Sequence, residues 1–205
     1  MAFITATASL RAQTLTRNGT IQYQEASLAL PEFLLQAYTA LRVEYPKFYK
    51  MDPLSKLGFL AAEVLLGDKP LAAYPPEAVS LVLSNAHASL DTDVQYQAAS
   101  RTVPSPALFV YTLPNIVAGE LCIRHGLKGE NAFFVTPGFD ASQVASYVDL
   151  VLAQPGAQGC VAGWVDVMGE HHDVFLYLAE NSRRGLAQPH TAEQLNTLYT
   201  GLWNN

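Results

Sequence analysis

Apolar positions recur along this chain in two periods, which divide it into strands and helices. Residues 2–9 are small and β-branched and predict a first strand. Residues 11–24 turn polar around Asn18-Gly19, a turn signal, and predict either a hairpin arm or a loose loop. Pro31 suits the first position of a helix in which Phe33, Leu34, Tyr38 and Leu41 recur at helical spacing until Pro46. Asp52-Pro53 predicts a capped start for a helix over 54–66, with Leu57, Leu60, Ala61 and Val64 on one face and Gly67 closing it. A proline-rich loop leads to residues 78–83 (AVSLVL), a continuous apolar run that fits a strand covered on both faces. Residues 84–92 are small and polar and predict a loop at that strand's carboxyl end, with Asp91 or Thr92 capping a short helix through Ser100.

Pro104 and Pro106 interrupt the pattern. Residues 107–125 then read as one helix, with Phe109, Leu113, Val117 and Leu121 on a face and a kink or restart at Pro114. A third strand over 131–136 and a helix over 141–154 follow. That helix carries Val144, Tyr147, Val148, Val151 and Leu152 on one side and Ser142, Ser146, Asp149 and Ala153 on the other. Residues 159–167 predict a fourth strand, Gly169-Glu170 a turn, and 173–179 a fifth strand antiparallel to the fourth. Residues 180–188 read as polar loop, and Thr191 with Gln194 has capping-box spacing for a last helix to about Trp203.

The stretch 113–166 has the βαβ logic of a parallel sheet. Open sheets of this kind place their chemistry at the carboxyl ends of strands, and Thr136-Pro137-Gly138-Phe139-Asp140 is a bend at such an end. It contains no nucleophile stronger than a hydroxyl. The length of 205 residues predicts one domain spanning 1–205. Half of the residues are apolar and 15% charged, below the roughly 25% of ordinary soluble chains; a large core or a large buried interface has that signature. With a net charge of −6 and no Lys/Arg cluster, nucleic acid and anionic membranes have no electrostatic footing. Two cysteines make no disulfide framework, no apolar run approaches the roughly 18 residues of a membrane span, and the start has no basic n-region. The expected location is the cytoplasm.

Several groups invite a chemical role. Cys160, between Gly159 and Val161, and Cys122, mid-helix, read as small buried hydrophobes. His171-His172 are adjacent, so their side chains diverge, and no third ligand accompanies them; a solvated turn is the expectation, with no metal. His87 with Asp91 and Asp93 reads as an acid–base cluster or as a capped loop with a surface histidine. Gly126 to Gly129 is a turn that no helix follows directly, so it is no phosphate loop. Ser182-Arg183-Arg184 reads as an exposed basic point.

The residues Ile123-Arg124-His125-Gly126-Leu127-Lys128-Gly129-Glu130-Asn131 resemble the IRxGLKGPN-like helix end of β-ketoacyl synthases, the condensing enzymes of fatty-acid and polyketide assembly. In that family a short strand then leads to Thr-Ala-Cys, where the cysteine takes the acyl chain, and a helix and strand end in an Ala-Gly-Gly-like turn with an acidic residue after it. Ala162-Gly163-Trp164 and Asp166 fill that last place. Counting forward from Asn131 and backward from Gly163 both put Gly138 at the cysteine's position, so Thr136-Pro137-Gly138 stands for Thr-Ala-Cys. Residues 52–62 also resemble the family's early helix. The likeness covers most of 50–167 and points toward the short ketoacyl-synthase-like proteins of bacterial aryl-polyene and flexirubin clusters.

The resemblance implies the amino-terminal half of a thiolase-type fold: α/β, a five-stranded mixed sheet with helices on both faces. It also implies a degenerate site at Thr136, Pro137, Gly138 and Phe139, because glycine has no side chain to acylate and Thr136 has no evident base. The histidines that the family uses for decarboxylation and oxyanion binding belong to a half not represented here. The expected function is a non-catalytic accessory subunit, like a chain-length factor, that needs no cofactor. It would work on carrier-bound acyl chains through a full-length ketoacyl synthase, with an acyl carrier protein as second partner. His87, Asp91 and Asp140 are the binding candidates, and the apolar strand over 132–136, from Ala132 to Thr136, is the expected edge of a homo- or heterodimer. The alternative is a small acyl-thioester transferase or hydrolase built on Thr136, Asp140 and His87; a purely structural assembly protein is a third reading.

Overall fold

A computed structural model describes residues 2–103 and 105–201. They form one mixed sheet of eight strands in the order β3-β2-β1-β7-β6-β4-β5, with β8 paired to β1. The five expected strands are present as β1 (Phe3–Arg11), β4 (Val79–Asn85), β5 (Asn131–Val135), β6 (Gly159–Met168) and β7 (His171–Glu180). The count of five is corrected by three short additions: β2 (Thr14–Arg17), β3 (Thr20–Gln24) and β8 (Gln188–Pro189). The polar stretch after β1 is therefore a hairpin arm. Its two connections are two-residue loops, Ala12-Gln13 and Asn18-Gly19, with positive φ at both residues of each. That is the type I′ geometry, whose twist matches the flanking strands.

β4 runs parallel to both β5 and β6, and the remaining pairs are antiparallel. Side chains of β4, β6 and β7 alternate between two cores. One holds Leu81, Leu83, Val161, Val165, Val174 and Leu176 under α1 (Leu30–Ala40), α2 (Pro53–Leu65) and α5 (Ile116–His125). The other holds Val82, Cys160, Ala162, Phe175 and Tyr177 under α6 (Ala141–Leu152) and α7 (Ala192–Gly201). Helices thus cover both faces, as expected. α2 starts at its predicted cap, where the Asp52 carboxylate accepts from Ser55 N at 2.9 Å, and Gly58 lets it approach α5: a Cβ there would lie 2.7 Å from Val117 Cγ2.

One open expectation is settled and two change. Residues 107–125 form two helices, α4 (Pro106–Val110) and α5, because Pro114 cannot donate to a continuous ladder. α3 (Leu90–Ser100) starts before Asp91 and Thr92, so neither caps it; Thr92 instead donates to the buried Asp52 at 2.7 Å. Glu180 is not loop but the fully buried end of β7, where it accepts from Thr5 Oγ1 and from the Arg184 guanidinium. A bulge at Thr5 turns β1 between the two cores, and the 181–187 segment docks on it through Leu186 N to Thr5 O at 2.9 Å. The polar side of α6 holds: Ser142, Ser146, Asp149 and Ala153 are exposed while Val144, Val148, Val151 and Leu152 are buried. The expected end of the last helix at Trp203 lies outside the described residues.

Candidate functional site

The carboxyl ends of β4, β5 and β6 lie together because these strands are parallel, and two loops meet the solvent there. The first is 85–89, after β4. The buried Asn85 side chain clamps it from within, accepting from Ala88 N at 2.9 Å and donating to Ala88 O at 2.8 Å. Ala88 closes the turn at φ 50°, a conformation that the clamp must stabilise against side-chain crowding. From β6, the Asp166 carboxylate accepts from Ala86 N at 3.0 Å and His87 N at 3.1 Å with one oxygen. Its other oxygen lies 2.8 Å from His87 Nδ1. An ionised carboxylate only accepts, so Nδ1 carries a proton and donates it to Asp166. The His87 side chain is 37% exposed and that of Asp166 6%.

Sequence proximity had grouped His87 with Asp91 and Asp93; hydrogen bonds group it with Asp166. Asp91 accepts from Gly169 N at 2.8 Å and from Gln95 Nε2 at 2.8 Å. Asp93 accepts from Ser89 Oγ at 3.2 Å. The signal for Asp166 lay in the β4–β6 register, since Ser84 faces Trp164 and two further residues bring Ala86 opposite Asp166.

The second loop is the bend after β5, which continues that strand's pairing by one bond, Thr136 N to Asn85 O at 2.9 Å. The Thr136 hydroxyl donates back to Gly138 O at 2.9 Å. Asp140 caps α6, accepting from Gln143 N at 2.9 Å. Gly138 is exposed, and a Cβ built on it would meet no heavy atom within 4 Å. Phe139 turns inward and rests on Tyr199 (centroids 4.5 Å apart), Phe175 (5.7 Å) and Trp164 (6.4 Å). Thr136, Asp140 and His87, the trio of the enzymatic alternative, are therefore each held by a different partner. A shallow open depression runs over 136–142 to Asn196 of α7.

The other candidates resolve plainly. Cys160 is fully buried and burial pushes its thiol far up, while Cys122 is half-buried with its thiol also raised by burial; neither thiol is poised as a thiolate. His171 is exposed, but His172 is buried rather than solvated, with Nδ1 3.0 Å from Glu170 O. Arg184 is drawn onto Glu180 and is no free basic point. Among the described residues no cluster of three or more His, Cys, Asp or Glu could hold a metal ion, and no helix is long and apolar enough to cross a membrane.

No protein-family model and no curated protein matches the sequence. The fold does match solved structures. The chain superimposes on the ishigamide ketosynthase/chain length factor with a TM-score of 0.63 at 17% identity, over 88% of this chain and 62% of that one. On a β-ketoacyl synthase from Burkholderia phymatum the TM-score is 0.57 at 12% identity, over 88% of this chain and 59% of that one. On a ketosynthase (ApeO) in complex with its chain length factor (ApeC) from Xenorhabdus doucetiae it is 0.58 at 13% identity, over 100% of this chain and 92% of that one. The chain spans about three fifths of the length of the first of these structures. The architecture is thus the thiolase-type fold of ketosynthases and chain length factors.

Proposed function

We propose that this chain is a non-catalytic ketosynthase-like accessory subunit of the chain-length-factor kind. It pairs with a full-length ketosynthase and helps to shape the site in which that partner extends acyl chains on a carrier protein, in fatty-acid, polyketide or aryl-polyene assembly. The observation that carries the reading is Gly138: an exposed, unhindered glycine where the resemblance places the acylated cysteine, on an otherwise kept scaffold. A nucleophile's loss from a collapsed site would be decay. Its loss from a bend still held by the Asn85 clamp and the Asp140 cap points to a retained shape.

The sheet supports a pairing surface along β5. β5 is an edge strand. Because Thr136 N–H bonds Asn85 O, alternation turns the N–H groups of Phe133 and Val135 away from β4, toward a strand outside this chain. Val135 is 55% exposed, and Phe109, Leu113 and Ile123, on and beside α4 and α5, are also exposed. An unprotected apolar edge favours a strand partner. Solved relatives of this fold include a ketosynthase bound to its chain length factor and an acyl-carrier protein in complex with its ketosynthase, which supports both partners.

The test is binding of a full-length ketosynthase from the same host, by size-exclusion chromatography with light scattering, for the native chain and for Val135→Pro. Proline removes one outward amide and leaves the β4 ladder intact. The account expects a one-to-one complex at micromolar concentration that the variant loses while staying folded. Absence of any complex, or a complex indifferent to the variant, overturns the pairing.

A further inference from the structure

The carboxyl-terminal segment of the described chain is held by a buried relay that involves none of the candidate site residues above. The His190 ring is fully buried. Its Nδ1 lies 2.8 Å from Asp149 Oδ1 on α6, and its Nε2 lies 3.1 Å from the hydroxyl of Tyr177 on β7, which is itself fully buried. The Asp149 side chain is 57% exposed, so the relay runs from solvent into the core. The bonding admits one arrangement for a neutral ring. The carboxylate can only accept, so Nδ1–H donates to it, and Tyr177 O–H donates to Nε2. Both ring nitrogens and the Tyr177 hydroxyl then have a partner.

Protonation breaks this closure. An imidazolium donates from both nitrogens, so Nε2–H must take the Tyr177 oxygen and the hydroxyl proton loses its acceptor inside the core. A buried donor without a partner is costly. The groups facing His190 offset this only in part, through Asp149. They are Asp149 from α6 and Tyr177 from β7; Cys160 of β6 lies behind Tyr177 with its thiol protonated, and Ala2, just before β1, offers its carbonyl, which takes the His190 backbone N–H at 3.1 Å. Burial holds the ring below the ordinary imidazole range, with Asp149 acting in the opposite and lesser sense.

What the relay secures is α7. His190 joins β8 to that helix, and Thr191 Oγ1 caps it by accepting from Gln194 N at 3.1 Å. Leu195, Leu198 and Tyr199 then close over the α6 side of the sheet, with Tyr199 on Phe139 and Phe175. The far end of α7 is pinned by Arg11 Nη1 to Tyr199 O at 2.9 Å and by Tyr199 Oη to Asp173 Oδ2 at 2.5 Å.

We propose that Asp149, His190 and Tyr177 form an acid-released latch: proton uptake at His190 frees the 188–201 segment and uncovers the aromatic floor beneath the 136–140 bend. The sign follows from linkage. A histidine held neutral in the closed state contributes stability that is full above the ordinary imidazole value and is lost as pH falls below it. With a free imidazole near pH 6.5, opening linked to one proton rises up to about thirtyfold between pH 7.5 and pH 5.

Hydrogen–deuterium exchange of the full chain tests this, read on peptides from 188–201 and corrected for intrinsic rates. The expected result is a rise of tenfold or more in that segment on going to pH 5, with β6 and β7 unchanged. His190→Gln, whose amide donates to Asp149 and accepts from Tyr177 without titrating, should abolish the pH dependence. Equal slopes in the two proteins overturn the latch. If the variant fails to fold, nitrogen-15 NMR of the native ring decides. A neutral Nδ1–H tautomer that persists below pH 6 until the segment opens supports the latch, and ordinary titration with the segment still closed refutes it.

Discussion

Asp166→Ala is the perturbation whose cost can be worked most fully from the geometry. The carboxylate is nearly buried and takes three hydrogen bonds: two from the backbone of Ala86 and His87 and one from the His87 ring. Alanine leaves both amides without their acceptor. Each orphaned amide costs about 1–3 kcal/mol, and the loop is partly wet, so the lower half of that range applies and the sum is about 2–4 kcal/mol. For a chain of this size that is a fall in Tm of about 4–16 °C. Asp166→Asn keeps Oδ1 for both amides and presents Nδ2 to His87 Nδ1, which must then give up its proton; about 1 kcal/mol is the expected cost. Urea denaturation gives the two values, and long-range nitrogen-15 spectra give the His87 tautomer, Nδ1–H in the native protein and Nε2–H in the asparagine variant. Equal destabilisation by Ala and Asn, or an unchanged tautomer in Asp166→Asn, would refute the bonding described.

Other outcomes follow from single contacts. Gly163→Ala should destabilise by about 3 kcal/mol or more, because φ is +146° and the added Cβ falls 2.0 Å from Phe175 O; a thermal shift within 2 °C of the native value would contradict that fit. Gly138→Cys should fold normally, since its Cβ meets open space, and its thiol should react with a disulfide reagent at the rate of an unactivated cysteine; stoichiometric acylation by an acyl thioester would reveal a base not identified at the bend. Asp52 is a buried carboxyl raised above its ordinary value mainly by desolvation. Its protonated form is favoured by folding, so it opposes stability above the raised value and that cost is relieved as pH falls toward 3.8. Asp52→Asn should therefore gain on the native protein at pH 7 and lose the gain in acid, as measured by paired denaturation curves; a pH-independent difference would contradict it.

The sequence made short-range features readable and hid those set by register. Asp52-Pro53 located α2 because a cap and a donor-free first residue are local chemistry. The exposed stripe of Ser142, Ser146 and Asp149 was legible because helical period alone decides it. The arm stayed ambiguous because Ala12 and Gln13, unlike Asn18-Gly19, give no hint of positive φ. His87 invited a partner among its neighbours, yet Asp166 reaches it through the parallel alignment of β4 with β6. Glu180 and Arg184 looked like solvated loop until the bulge at Thr5 supplied a buried seat for the carboxylate. The Asp149–His190–Tyr177 relay joins three elements and left no mark at any one of them. Gly138 was singled out by a different route, an uninterrupted count from two flanking motifs of the resemblance, and the structure shows that nothing crowds it.

The central claim, a ketosynthase-like subunit without its own nucleophile, is tested most directly by isolating the tagged protein from its native host at native abundance and quantifying what accompanies it by mass spectrometry. The account predicts a full-length ketosynthase at near-equal amount, lost when Val135 is replaced by proline. A clean homodimer or monomer with no ketosynthase would contradict it.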